Sequence, residues 1–111
     1  MKLLLFGTGD YYQRYKKWFD REDILALLDN SKEKQGMMLD GIPVLSPEKG
    51  VKLFFDAIVI LSFYVKQMRA QLAGLGVPQG RIFHFFDLHD LCFRKKTEYP
   101  VKIYGDVTKA G

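Results

Sequence analysis

The chain has 111 residues and a mass of 12.9 kDa, with 48% hydrophobic and 27% charged residues. That length holds one domain, and the composition excludes global disorder and low complexity. The net charge of +4 comes from scattered lysines and arginines with acidic residues between them, unlike the clustered basic footprint of a nucleic-acid-binding protein.

Residues 2–6 are a short apolar run ending at glycine, the pattern of a fully buried strand. The run passes straight into Gly7-Thr8-Gly9-Asp10 with no small-residue cleavage site, so it does not read as a signal peptide. Residues 10–20 have helical spacing, with Tyr12, Tyr15 and Phe19 on one face and Trp18 beside them. Residues 24–28 form a second buried strand, closed by Asp29 and Asn30. Residues 31–36 are a polar loop or a single helical turn. Pro43 cannot donate to a ladder, which makes residues 42–45 a weak or edge strand.

Ser46-Pro47 has the form of an N-cap followed by proline at the first helical position, opening a short helix that stops at Gly50. Residues 56–61 are the clearest buried strand, with Ser62 directly after it. The next helix spans residues 64–74, with Val65, Met68, Leu72 and Leu75 inward and Gly76 as its stop. Residues 81–86 read as a strand and residues 88–96 as a last short helix. Beyond them, residues 99–104 form an edge strand or lead into a linker, and the ending Thr108-Lys109-Ala110-Gly111 reads as a boundary within a longer protein.

Strands and helices alternate, so the strands should be parallel with right-handed crossovers. The expected fold is α/β: a small Rossmann-like, doubly wound, mostly parallel sheet of order 3-2-1-4-5 with helices on both faces. It covers residues 1–96, and residues 97–111 are an edge strand, tail or linker. No apolar run approaches the about 20 residues that cross a bilayer. The single cysteine, Cys92, leaves no internal disulfide and no Cys-rich metal site. The expected location is cytoplasmic, with no metal and no nucleic acid.

The turn after the first strand stands where a dinucleotide fingerprint stands, between a buried strand and a helix, with Asp29 twenty positions beyond Gly9. Gly7 permits the tight turn, and Gly9 lets the backbone approach a pyrophosphate. The amides of the helix start face the anion. Asp29 accepts from ribose hydroxyls and repels a 2′-phosphate, which favours NAD-like ligands. Two features depart from the fingerprint. Tyr12 occupies the third glycine position, where its ring should push the helix outward or turn aside. Asp10 sets a negative charge at the helix start, as an N-cap or as a repulsive neighbour for phosphate.

The ordered segments Leu3-Leu4-Leu5-Phe6-Gly7-Thr8-Gly9, Leu28-Asp29-Asn30-Ser31-Lys32-Glu33-Lys34-Gln35-Gly36, Asp40-Gly41-Ile42-Pro43-Val44-Leu45-Ser46-Pro47 and Asp56-Ala57-Ile58-Val59-Ile60-Leu61-Ser62 resemble a family pattern. It is that of the small N-terminal Rossmann-type nucleotide-binding domains of bacterial glycosyltransferases and polysaccharide-biosynthesis (nucleotide-sugar) proteins. The resemblance covers residues 2–90. It implies an accessory domain that binds NAD or a UDP-sugar, with Gly7, Thr8, Gly9 and Asp29 on the nucleotide and Ser62 at its edge; Asp10 and Asn30, next to them in the chain, complete the candidate site. The chemistry of the parent protein would then lie elsewhere. The alternatives are a small dehydratase- or epimerase-like enzyme on a nucleotide sugar, and a ligand-free interaction module that keeps the fold.

Ser62 has a second reading, as a cap of the helix that follows. His84 and His89, near Asp87 and Asp90, make a poor metal site and favour a structural His–Asp hydrogen bond. Tyr12 and Lys16 have the spacing of the reductase tyrosine–lysine pair, but on the first helix rather than beyond the fourth strand, and are read as coincidence. Tyr11, Tyr12, Tyr15, Trp18 and Phe19 are too many for one small sheet to bury. Part of this surface, with Phe83, Phe85, Phe86 or Phe93, should meet another domain or a homodimer partner.

Overall fold

A computed structural model describes residues 1–87. The elements are β1 (Leu3–Phe6), α1 (Asp10–Tyr15), β2 (Ile24–Leu28), β3 (Met38–Leu39), β4 (Ile42–Leu45), α2 (Pro47–Gly50), β5 (Ala57–Ile60), α3 (Val65–Gly74) and β6 (Ile82–His84). The helix expected over residues 88–96, the edge strand over 99–104 and the tail all lie outside the described residues, as do His89, Asp90, Cys92 and Phe93.

The sheet is six-stranded and mostly parallel, in the order β3-β4-β2-β1-β5-β6. β1 runs parallel between β2 and β5, with Phe6 opposite Leu28 on one side and Ile60 on the other. β4 follows beyond β2, and β6 beyond β5, again in parallel. This order differs from the expected 3-2-1-4-5 through an added outer strand, β3, which pairs antiparallel with β4. Asp40 and Gly41, the two residues between β3 and β4, have φ of +54° and +75°. Two successive positive φ values make the turn that joins a tight hairpin, and Asp-Gly is among the pairs that adopt it most readily. β4 is therefore covered on its outer side and is not the edge strand that Pro43 implied.

Side chains alternate across the sheet. Leu3, Leu5, Leu27 and Val59 pack with Tyr12 of α1 on one face. Leu4, Phe6, Leu28, Ile58 and Ile60 pack with Met68 and Leu72 of α3 on the other. Both faces of the central strands are thus buried, each large side chain contributing about 1.5–3 kcal/mol. That is why β1 and β5 are apolar at every position rather than at alternate ones.

Local boundaries follow local chemistry. Ser46 caps α2, its hydroxyl accepting from the Lys49 amide at 3.2 Å, with Pro47 in the first turn. α3 ends as its glycine predicts: Gly76 has φ +91°, and the Val77 amide returns to the Leu72 carbonyl. α1 is shorter than the expected 10–20 and passes at Lys16 into a 3₁₀ turn. β6 also stops early, at His84, before a 3₁₀ turn over Phe85–Asp87.

The chain leaves β1 through α1 toward β2 and β4, then crosses back through α2 to β5 on the opposite side of β1. Such a reversal parts the loops that follow β1 and β5 and opens a crevice at the carboxyl ends of the strands.

Candidate functional site

That crevice holds a cleft of about 390 Å³, within the range of small-molecule sites. Gly7, Thr8, Gly9, Asp10, Asp29, Asn30 and Ser62, drawn from three separate loops, all line it. Tyr11, Lys34 and Phe63, which sequence reasoning did not assign there, line it as well, as does Tyr64.

The two turn glycines answer to different constraints. Gly7 has φ +122°, and a Cβ on it would collide with the Leu61 carbonyl oxygen. Its amide donates to the Leu28 carbonyl at 2.8 Å, so it is a structural hinge tying β1 to β2. Gly9 is the N-cap of α1 at φ −94°, and a Cβ there meets nothing within 4 Å. Open space, not backbone strain, surrounds Gly9. Among the described residues, no main-chain carbonyl takes the Thr8 or Gly9 amide. Asp10 is the first residue of α1 rather than its N-cap.

Thr8 is the one buried polar residue of the described chain. Its hydroxyl donates to Asp29 Oδ2 at 2.5 Å, joining the end of β1 to the end of β2 across the cleft floor. Asp29 Oδ1 accepts from the Ser31 amide at 2.8 Å, and the Gln35 side chain donates to the Asp29 carbonyl. The carboxylate is held from both sides yet keeps lone pairs for a further donor, since each oxygen can accept two bonds. Asn30 is engaged elsewhere: its amide group pairs reciprocally with that of Gln71 on α3, at 2.8 and 3.0 Å. This pair straps the β2 loop to α3 at the rim of the cleft.

The Ser62 hydroxyl accepts from the Tyr64 amide at 3.1 Å, which supports the start of α3, where Tyr64 is the N-cap. Ser62 is thus a helix-entry residue that also lines the cleft. The charged groups on the lining are Asp10, Asp29 and Lys34. The Lys34 ammonium makes no ion pair with another described residue.

Tyr12 turns aside from the cleft, and its ring does not fill the space above Gly9. It is 1% exposed, packed among the α1-facing core residues. Its hydroxyl donates to Asp40 Oδ2 at 2.7 Å, and Lys16 Nζ meets the same oxygen at 3.0 Å. Tyr12 and Lys16, whose reductase-like spacing reads as coincidence, together form a latch that clamps α1 to the hairpin turn. Arg21 adds a third tie, donating to the Gly41 carbonyl at 2.7 Å. Burial and the Asp40 carboxylate raise the Tyr12 hydroxyl well above its ordinary pKa. The Tyr12 and Lys16 hydrogen bonds hold Asp40 below the usual carboxylate range.

At β6, Asp87 accepts from the His84 main-chain amide at 2.9 Å, so the expected His–Asp bond forms through the backbone and not the ring. His84 Nε2 is buried without a partner among the described residues. Burial lowers the His84 pKa, against an opposing pull from Asp87. His84 meets Phe85 edge to face, and Phe85 stacks on Tyr11 and Tyr15. Phe83 is buried, whereas Trp18 and Phe86 are exposed. Among the described residues, no group of three or more His, Cys, Asp or Glu side chains could hold a metal ion. No helix among them is long and apolar enough to cross a membrane.

An open, mostly parallel sheet with helices on both faces, and a cleft where the chain reverses across β1, define an α/β domain with a candidate ligand site at its carboxyl edge. This chain belongs to the family described as C2185-like, N-terminal, which matches residues 1–83. That match takes in every strand but the last residue of β6, and the whole of the cleft lining. No curated protein matches the chain.

Proposed function

We propose that this chain is a Rossmann-like nucleotide-binding domain, taking NAD or a UDP-sugar in the cleft above Gly7–Asp10. It serves as an accessory domain of a bacterial glycosyltransferase or other polysaccharide-biosynthesis protein, whose chemistry resides outside this domain. The observation that carries the reading is the Thr8–Asp29 hydrogen bond. It holds a carboxylate at the tip of β2 beside unpaired amides at the tip of β1, the arrangement that grips a ribose next to a diphosphate. The open space at Gly9 and the Lys34 ammonium on the same lining support the diphosphate position.

Titration calorimetry with NAD, NADH, UDP and UDP-sugars tests it. Binding in the micromolar to millimolar range is the expected result. No heat and no thermal shift with any of them at millimolar concentration overturns it, and leaves the ligand-free interaction module as the better reading.

A further inference from the structure

Two large aromatic side chains stand uncovered at one end of the cleft. Phe63 is 77% and Tyr64 64% exposed, and both line the cavity. An aromatic side chain buries roughly 150–250 Å² when a protein covers it, so folding has no use for this pair as it stands. Nor are they loose. The Leu61 amide donates to the Phe6 carbonyl, Ser62 holds the Tyr64 amide, and the Tyr64 carbonyl opens α3 by accepting from Met68. The two rings meet edge to face at 85°, with centroids 6.2 Å apart. They form a preorganised lip on a fixed loop.

The lip lies on the β5 side of β1, whereas Asp29 lies on the β2 side. A ribose on Asp29 and a diphosphate on the Thr8–Gly9 turn therefore lead toward Phe63 and Tyr64. Whatever the distal phosphate carries arrives against two aromatic faces.

Building on the nucleotide reading of the cleft, we propose that Phe63 and Tyr64 are the platform for the second ring of a two-ended ligand, a nucleoside diphosphate carrying a further ring on its outer phosphate. Hexose and nicotinamide share the required chemistry. Each presents a flat or C–H-lined face that stacks on an aromatic side chain. The domain is thereby selective for the complete conjugate over the bare nucleoside diphosphate.

The test compares UDP with UDP-glucose, and ADP with NAD, by calorimetry on the full chain and on the Phe63→Ala and Phe63→Ala/Tyr64→Ala variants. Within the pair that binds, the conjugate is expected to bind about tenfold tighter than its ring-lacking counterpart, in line with stacking on an aromatic side chain. The double variant should erase that ratio and leave the affinity for the counterpart, and the melting temperature, unchanged. The UDP pair reports a hexose and the ADP pair a nicotinamide riboside. Equal affinity of conjugate and counterpart in the unaltered chain overturns the proposal and leaves the nucleotide reading standing. So does a ratio that survives the double variant. A chain that binds none of the four ligands overturns both.

Discussion

The two sides of α1 are built differently. On the hairpin side, Tyr12, Lys16 and Arg21 converge on Asp40 and Gly41, each with a hydrogen bond there of 3.0 Å or less. On the cleft side, the Thr8 and Gly9 amides lack main-chain partners among the described residues, Lys34 lacks an ion pair, and Phe63 and Tyr64 face solvent. Satisfied groups explain themselves through stability. Groups open to solvent on a fixed frame are where the proposed ligand would gain its contacts.

The largest expected effect comes from Gly7→Ala. It forces a side chain into φ +122° and against the Leu61 carbonyl, and should cost about 3 kcal/mol or more, seen as a large drop in the denaturation midpoint. A melting curve like that of the unaltered chain would show the hinge to be less constrained than described.

Tyr12→Phe removes a hydrogen bond to a carboxylate while keeping the buried ring. It should cost about 1–2 kcal/mol, with a melting point lower by several degrees and ligand affinity unchanged. The same variant sharpens the pH comparison. A folded-state hydroxyl pKa above the unfolded value gives stability that is fully present below about pH 10 and is lost as the pH rises through the raised value. Asp40, with its pKa lowered, contributes above the ordinary carboxylate range and loses that contribution as the pH falls through its folded value. Melting temperature against pH should thus decline at the alkaline end in the unaltered chain, and less so in Tyr12→Phe. Parallel curves would remove the latch.

Thr8→Val deletes the hydroxyl that positions Asp29. We expect about 1 kcal/mol of stability to be lost, together with weakened nucleotide binding, a double signature that the hairpin side cannot produce. Gly9→Ala is the smallest in stability, below about 0.5 kcal/mol, because the new methyl meets no protein atom. Its effect should appear in calorimetry alone, as the methyl would intrude on the proposed diphosphate position. A stability loss at Gly9 without a binding loss would reverse the assignment of the two sides.

Much of the fold was legible locally. The apolar runs marked the positions of β1, β2 and β5, Ser46-Pro47 opened α2, and Gly76 closed α3, because strand burial and helix capping depend on neighbours in the chain. All seven candidate site residues could be gathered at one edge for a related reason: in alternating strands and helices, every residue just past a parallel strand falls at the same end of the sheet. The Asp40-Gly41 signal for β3 was also present, between two apolar pairs, and went unused because Pro43 argued for an edge.

Tertiary structure alone decided the rest. Tyr12 and Asp40 stand twenty-eight residues apart, and no periodicity links them. Only the packed sheet brings α1 over the hairpin, turns the tyrosine away from the cleft and makes its hydroxyl a tie rather than a plug. The same holds for Thr8 with Asp29 and for Asn30 with Gln71. Local pattern determines which segments become strands, helices and turns, because it acts through backbone preference and burial. Which polar groups end up paired and which stay open to a ligand depends on the distances between elements, and those exist only once the core has closed.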